Sequence, residues 1–129
     1  MLAFSAVLGS GCSLFNDDAV ATWDLANDQS PDSATTAVTV DVTRLGCNSG
    51  ETGTVNDPDI EMTDTQVVIT FTVSPGEPSA ANCQGNNPVS YDVELPEALG
   101  ERFLVDGACD LTEATSTAPC QPSGVRYTP

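Results

Sequence analysis

Hydrophobic and polar residues alternate strictly in three stretches of the chain, and these stretches predict β-strands. In each stretch the apolar side chains fall on one face, while Thr, Ser, Asp or Glu residues dominate the other. The apolar faces consist of Val38, Val40 and Val42, of Val67, Ile69, Phe71 and Val73, and of Val89, Tyr91, Val93 and Leu95. A period of two residues with one polar face is typical of half-buried antiparallel strands.

Weaker strand candidates and turn signals complete the pattern. Further strands are predicted within residues 52–62, 102–105 and 124–128, and Gly, Pro and Asn residues interrupt the chain between them. Asp106 and Gly107 predict a tight hairpin turn. No stretch of ten residues beyond residue 36 follows a helical period, so the chain predicts an all-β fold. We expect a small antiparallel β-sandwich of six or seven strands, with a partly open barrel as the alternative.

The stretch before this domain has a different composition. Residues 12–36 are rich in acidic, Ser, Thr and small residues and lack the alternation, and Pro31 indicates a linker. We therefore expect a disordered, acidic, flexible tether over 12–36 and a β-sandwich domain over 37–129. Within the tether, Trp23 is expected to be a loosely packed linker aromatic, or else an anchor at a membrane interface.

The first eleven residues predict an export signal. They are apolar and uncharged, which fits the hydrophobic part of a signal peptide, but the usual positively charged start is absent. We therefore expect residues 1–11 to be a partial signal peptide whose translation begins upstream. Residues 8–12, Leu-Gly-Ser-Gly-Cys, resemble the lipobox of bacterial lipoproteins, although Leu8 stands one position earlier than in the family pattern. The resemblance implies that Cys12 is lipidated and becomes the mature N-terminus.

The cysteine count agrees with an exported protein. With Cys12 lipidated, four cysteines remain, and in an exported chain they form two disulfides. Three pairings are open; we favour Cys109 with Cys120, which closes a short local loop, and Cys47 with Cys83. The spacing does not suggest a zinc site, because there is no CxxC motif and no His to complete a ligand set. Five reduced thiols in a cytosolic protein are the alternative.

Charge narrows the possible functions. The 129 residues include 19 acidic and 3 basic side chains and no His, for a net charge of −16. A nucleic-acid partner is excluded because the chain cannot neutralise phosphates. Catalysis by a Ser-His-Asp or Cys-His arrangement is excluded because His is missing. The three cations, Arg44, Arg102 and Arg126, are each expected to meet a carboxylate on the surface.

Several segments also resemble a group of uncharacterised exported proteins from actinobacteria. The similar segments are residues 44–48, 63–75, 83–86, 99–102 and 105–109, followed by Cys120 and residues 124–126. The resemblance extends over most of residues 36–129. It implies a small, disulfide-bearing exported domain, and it implies no activity.

One acidic segment is a candidate metal site. Asp57, Asp59 and Glu61 fall on one side of an extended chain, and Asp64 follows. Calcium prefers six to eight oxygen ligands, so this set predicts a possible calcium site, although the spacing lacks the Gly and final Glu of an EF-hand loop. The alternative is a solvated strand edge whose charges discourage pairing with other sheets.

Together these features favour a non-catalytic exported module. We expect it to be anchored on the outer face of the cell membrane through lipid on Cys12, or secreted if Cys12 is unmodified. Its role would be binding of a protein or cell-wall partner or a structural role at the surface, through loops at 48–53 and 75–87. The alternative is an exported domain that binds calcium or a small ligand. No other cofactor is expected, and we expect no enzymatic activity.

Overall fold

Seven β-strands carry the fold, and only short 3-10 helices accompany them in the described residues. The structure is a computed structural model that describes residues 18–76 and 83–129. The strands are β1 (Ala19–Leu25), β2 (Ala37–Arg44), β3 (Asp59–Met62), β4 (Gln66–Val73), β5 (Val89–Glu94), β6 (Phe103–Asp106) and β7 (Val125–Tyr127). The 3-10 helices span Gly107–Asp110 and Ala118–Cys120. The predicted all-β class and number of strands are confirmed.

The strands form one mixed sheet that does not close into a barrel. Their order is β5-β2-β1-β4-β6-β7, and β3 pairs with the other edge of β4. All pairs are antiparallel except β4 with β6, which run parallel. β4 is shared along its length: β1 pairs with its second half, and β6 pairs with its first half. β1 and β6 therefore follow one another along the same edge of β4.

The sheet bends so that its two halves face each other across one core, which is the sandwich arrangement. All the alternating apolar residues of β2 and β4 are buried, as predicted. Phe71 of β4 contacts Tyr91 of β5 edge to face, with ring centroids 5.2 Å apart, although three strand pairings separate β4 from β5 in the sheet. The Tyr91 hydroxyl also donates a 2.6 Å hydrogen bond to Asp57, which precedes β3. These contacts hold the two edges of the bent sheet together.

The flexible tether predicted over 12–36 is wrong for the residues that form β1. β1 lies between β2 and β4, and its Trp23 is only 2% exposed. The Trp23 indole nitrogen donates a 2.8 Å hydrogen bond to the carbonyl of Ile69. The folded domain therefore includes β1, and Trp23 is a core residue rather than a linker aromatic or an interface anchor. Residues 1–17, with the predicted signal segment and Cys12, lie outside the described residues.

Residues 107–120, the C-terminal cap, cover part of the outer face of β1. A small second cluster forms there from Cys109, Ala114 and Cys120, against which Val20 packs. The hairpin turn predicted at Asp106 and Gly107 is wrong. Asp106 instead caps the first 3-10 helix by accepting a 2.9 Å hydrogen bond from the Ala108 amide. A side chain at Gly107 would meet Thr70 of β4 at 1.9 Å, so Gly is required for this close approach.

Both favoured disulfides are present. Cys47 is bonded to Cys83, and Cys109 is bonded to Cys120. Two disulfides in so small a domain indicate an oxidising, extracytoplasmic environment. In the described part of the chain no helix has the length and apolar character needed to span a membrane.

Candidate functional site

An open groove of about 800 Å³ runs over the outer face of β1 and β2. We call it the β1–β2 groove. Its floor consists of the outward-facing residues Thr22 and Asp24 of β1 and Asp41 and Thr43 of β2. These side chains face outward because their neighbours in sequence, including Trp23 and Val42, face the core. The groove is therefore a direct product of the two-residue period of both strands.

Two disulfide-bonded segments form the walls of the groove. One wall contains Cys47, Cys83 and residues 84–86 together with Pro88, and the other contains residues 117–119 of the C-terminal cap. The side-chain nitrogen Nδ2 of Asn86 donates hydrogen bonds to the backbone carbonyls of Arg44 (3.1 Å) and Gly46 (2.7 Å). These bonds fix the first wall to the end of β2. The disulfide between Cys109 and Cys120 fixes the cap. Both walls are thus held by covalent and polar contacts.

Asn86 also brings an unused acceptor to the groove wall. Its side-chain oxygen is buried and accepts no hydrogen bond within the described structure. The orientation of the amide is fixed, because its nitrogen already donates to two carbonyls. A buried acceptor without a donor is unfavourable, and because this oxygen is covered, a ligand in the groove does not reach it.

Two carboxylates lie opposite each other on the floor of the groove. Asp24 and Asp41 are direct partners in the β1–β2 register. Arg126 lies near Asp24, with Nε 3.9 Å from the carboxylate, while Asp41 has no ion pair among the described residues. Like charges directly opposite on neighbouring strands repel each other. The floor of the groove therefore has an excess of negative charge.

A buried ion pair lies beneath this region, where β1 and β6 meet. Asp106 is 1% exposed, and Arg126 donates to it from Nη2 at 3.0 Å. The backbone amides of Trp23 and Ala108 each donate to the same carboxylate at 2.9 Å. Burial raises the pKa of the Asp106 carboxyl above its ordinary value, although these donors act in the opposite direction. Asp106 does not line the groove, so its role is to connect strands.

Arg44 departs from the predicted role of the arginines. Arg102 pairs with the exposed Glu97 at 3.8 Å as predicted, whereas the 3.0 Å ion pair of Arg126 with Asp106 is buried rather than on the surface. Arg44 is 6% exposed and forms no ion pair among the described residues. Its guanidinium instead donates to the backbone carbonyls of Thr52 and Ser74. Arg44 therefore links these two loops through hydrogen bonds.

The predicted calcium ligands do not come together. Among residues 18–76 and 83–129, no three acidic or cysteine side chains form a group suited to a metal ion. Asp59 and Glu61 are exposed on β3, whose only strand partner in the described structure is β4. Asp57 is held by the Tyr91 hydroxyl, and this hydrogen bond raises the pKa of Tyr91. Asp64 lies beyond the end of β3, in the turn before β4. The segment thus matches the alternative, a charged strand edge.

The predicted contact loops account for only part of the groove. Cys83 and residues 84–86 belong to the predicted 75–87 loop, while residues 77–82 lie outside the described residues. The predicted 48–53 loop does not line the groove. The floor of the groove is not predictable from the sequence pattern, because Asp24 lies in the stretch predicted to be a tether. The wall at 117–119 is not predictable either, because no local pattern marks it.

Comparison with known proteins adds no family to this description. No protein-family model, curated protein or solved structure gives a significant match to the chain.

Proposed function

We propose that this protein is an exported, non-catalytic binding module that presents the β1–β2 groove to a partner at the cell surface. The observation that carries the proposal is the groove itself. It combines a volume of about 800 Å³, within the range of known binding sites, with walls fixed by two disulfides. Rigid walls favour binding because little conformational entropy is lost when a partner is bound.

The chemistry of the groove favours binding over catalysis. Its polar groups are two carboxylates, threonine hydroxyls and side-chain amides, and the chain has no His to activate a hydroxyl. Asp106 and Tyr91, whose pKa values are raised, lie outside the groove, so these raised pKa values do not point to catalysis there.

The proposal includes a lipid anchor on Cys12. The support is the resemblance of residues 8–12 to a lipobox and the even number of cysteines that remain for disulfides. Mass spectrometry of the protein isolated from its host tests this part. We expect the mature chain to begin at an acylated Cys12. An unmodified Cys12 in the mature chain contradicts the anchor and leaves a secreted module.

The binding function is tested by blocking the groove. Thr43→Trp places an indole on the groove floor, and Thr128→Trp places the same indole at an exposed position outside the groove. We expect the chain produced without lipid on Cys12, both unsubstituted and with Thr128→Trp, to cosediment with an envelope fraction from the source organism. Thr43→Trp is expected to remain in the supernatant while its melting temperature stays close to that of Thr128→Trp. Equal sedimentation of both variants contradicts a role for the groove.

A further inference from the structure

We infer that the β1–β2 groove binds an extended basic segment of a partner protein, with a Lys or Arg side chain placed between Asp24 and Asp41. The inference rests on the proposed binding function and specifies the partner. It depends on three features of the groove: the charge of its floor, the character of its walls and the surface onto which it opens.

The charge of the floor favours a cation. Asp24 and Asp41 face each other across the β1–β2 pair and repel. The nearby Arg126 does not neutralise both, because its Nη2 is bound to Asp106 and only its Nε lies within 3.9 Å of Asp24. A cation between the two carboxylates would convert this repulsion into two attractive contacts.

The walls favour a cation on a long apolar stem. Leu45, Pro88, Ala118 and Pro119 supply apolar surface on both sides of the charged floor. Lys and Arg side chains bury their methylene groups against such surface and keep the charged end at polar groups. A small hydrated metal ion would not use these walls. The described residues, moreover, offer no group of three acidic or cysteine side chains for a metal.

The surroundings favour an extended chain with several basic residues. The outward face continues from Asp41 to the neighbouring strand β5, where Asp92 and Glu94 are exposed. A segment that leaves the groove therefore passes further carboxylates. The net charge of −16 also accelerates encounter with a basic partner.

The test uses a peptide probe and the full chain with both disulfides formed. The probe is an acetylated, amidated peptide of alternating Lys and Thr, and the control peptide carries Glu at each Lys position. Titration into ¹⁵N-labelled protein at low salt reports binding and its location. We expect the Lys peptide to shift the amides of residues 22–24, 41–43 and 84–86, and the shifts to weaken as NaCl is added. The Glu peptide is expected to shift none of them.

A charge-matched pair of variants separates the site from the overall charge. Asp24→Asn with Asp41→Asn removes the groove carboxylates, and Asp59→Asn with Glu61→Gln removes two exposed carboxylates of β3. Both double variants change the net charge by the same amount. We expect the groove variant to bind the Lys peptide at least about ten-fold more weakly, which corresponds to about 1.4 kcal/mol. The β3 variant is expected to bind it within about two-fold of the unmodified chain. The single variant Asp41→Asn keeps Asp24, the carboxylate next to Arg126, and is also expected to bind the Lys peptide more weakly than the unmodified chain.

Three results overturn the inference. They are no binding of the Lys peptide at low salt, equal weakening in the two double variants, and shifts of the groove amides by CaCl₂ but not by the peptide. If the Lys peptide does not bind while Thr43→Trp still abolishes cosedimentation, the groove is a binding site but the inferred basic partner is wrong. If cosedimentation also does not depend on the groove, the proposed function fails with it.

Discussion

Asp106 connects three parts of the fold through a single carboxylate. One oxygen accepts hydrogen bonds from the Trp23 amide and from Arg126, and the other accepts one from the Ala108 amide. The amide of Trp23 needs this acceptor because β1 stops pairing with β4 at Ala21. The carboxylate therefore accepts the hydrogen bond of the Trp23 amide at the point where the pairing partner of β4 changes from β1 to β6. A buried charge is tolerated there because it is paired and hydrogen-bonded.

Replacing this carboxylate by an amide is expected to be costly. Asp106→Asn removes the closer of the two carboxylates that pair with Arg126, leaving Asp24 at 3.9 Å, and it turns an NH₂ group, which cannot accept, toward at least one N–H donor. We expect a loss of about 3–5 kcal/mol in the free energy of unfolding. Glu97→Gln is the matched change in an exposed pair with Arg102 and should cost about 0–1 kcal/mol. Urea denaturation of the two variants measures both values, and similar losses would contradict the assigned role of Asp106.

At the scale of elements, the strands of strict alternation were predictable and β1 was not. β2 and β4 bury one face and expose part of the other, so their sequences alternate visibly. In β1 three consecutive residues, Ala21, Thr22 and Trp23, are buried. Thr22 points away from the core, but it is only 5% exposed because this part of the outer face is covered. The alternation of Ala21, Trp23 and Leu25 with Thr22 and Asp24 is present in the sequence, but it is short and lies among acidic and small residues that are typical of a linker.

The candidate site was less predictable than the fold for a related reason. The groove brings together residues 22–24, 41–43, 83–88 and 117–119, which are distant in sequence. Only the disulfide pairs, favoured from the sequence among three possible pairings, indicated which loops come together. The parallel pairing of β4 with β6 was also unpredictable, because alternation does not reveal the direction of a partner strand.

The two disulfides are expected to differ in their resistance to reduction. Cys47 and Cys83 are exposed, whereas Cys109 and Cys120 are 9% and 3% exposed in the second cluster. Thiol exchange requires access to the sulfur, so dithiothreitol under native conditions should reduce the bond between Cys47 and Cys83 first. Alkylation at timed intervals followed by peptide mass spectrometry measures the order. In strong denaturant the two bonds should react at similar rates, and a persistent difference there would show that burial is not the cause.

At the scale of the whole molecule, the excess of carboxylates sets the pH dependence of stability. Nineteen acidic side chains surround a domain with three cations, so ionised carboxylates repel one another in the folded state. Asp106 adds to this effect because burial raises its pKa in the folded protein. The folded state then binds protons more tightly than the unfolded chain. The stabilisation is present below the unfolded pKa and is lost as pH rises through the folded pKa.

We therefore expect the melting temperature to rise as the pH is lowered from 8 toward about 4, the ordinary pKa of an unfolded Asp, because Asp106 gains its proton more readily in the folded state. Added salt screens the surface repulsion but has little effect on a buried carboxyl. In high salt the remaining pH dependence should come mainly from Asp106, and Asp106→Asn should reduce it. Scanning calorimetry across this pH range, at low and high salt, checks both statements. A melting temperature that falls steadily on acidification would contradict the expected sign.

The central position of β1 has a mechanical consequence for an anchored protein. With Cys12 as the proposed attachment point, at most about 25 Å of chain separates the anchor from Ala19. A partner pulling on the domain would thus load β1 almost directly. β1 is paired antiparallel with β2 on one side and β4 on the other, and those hydrogen bonds run perpendicular to the strand. Tension along β1 would load many of these hydrogen bonds in shear at the same time. The strand nearest the proposed anchor would therefore resist mechanical unfolding.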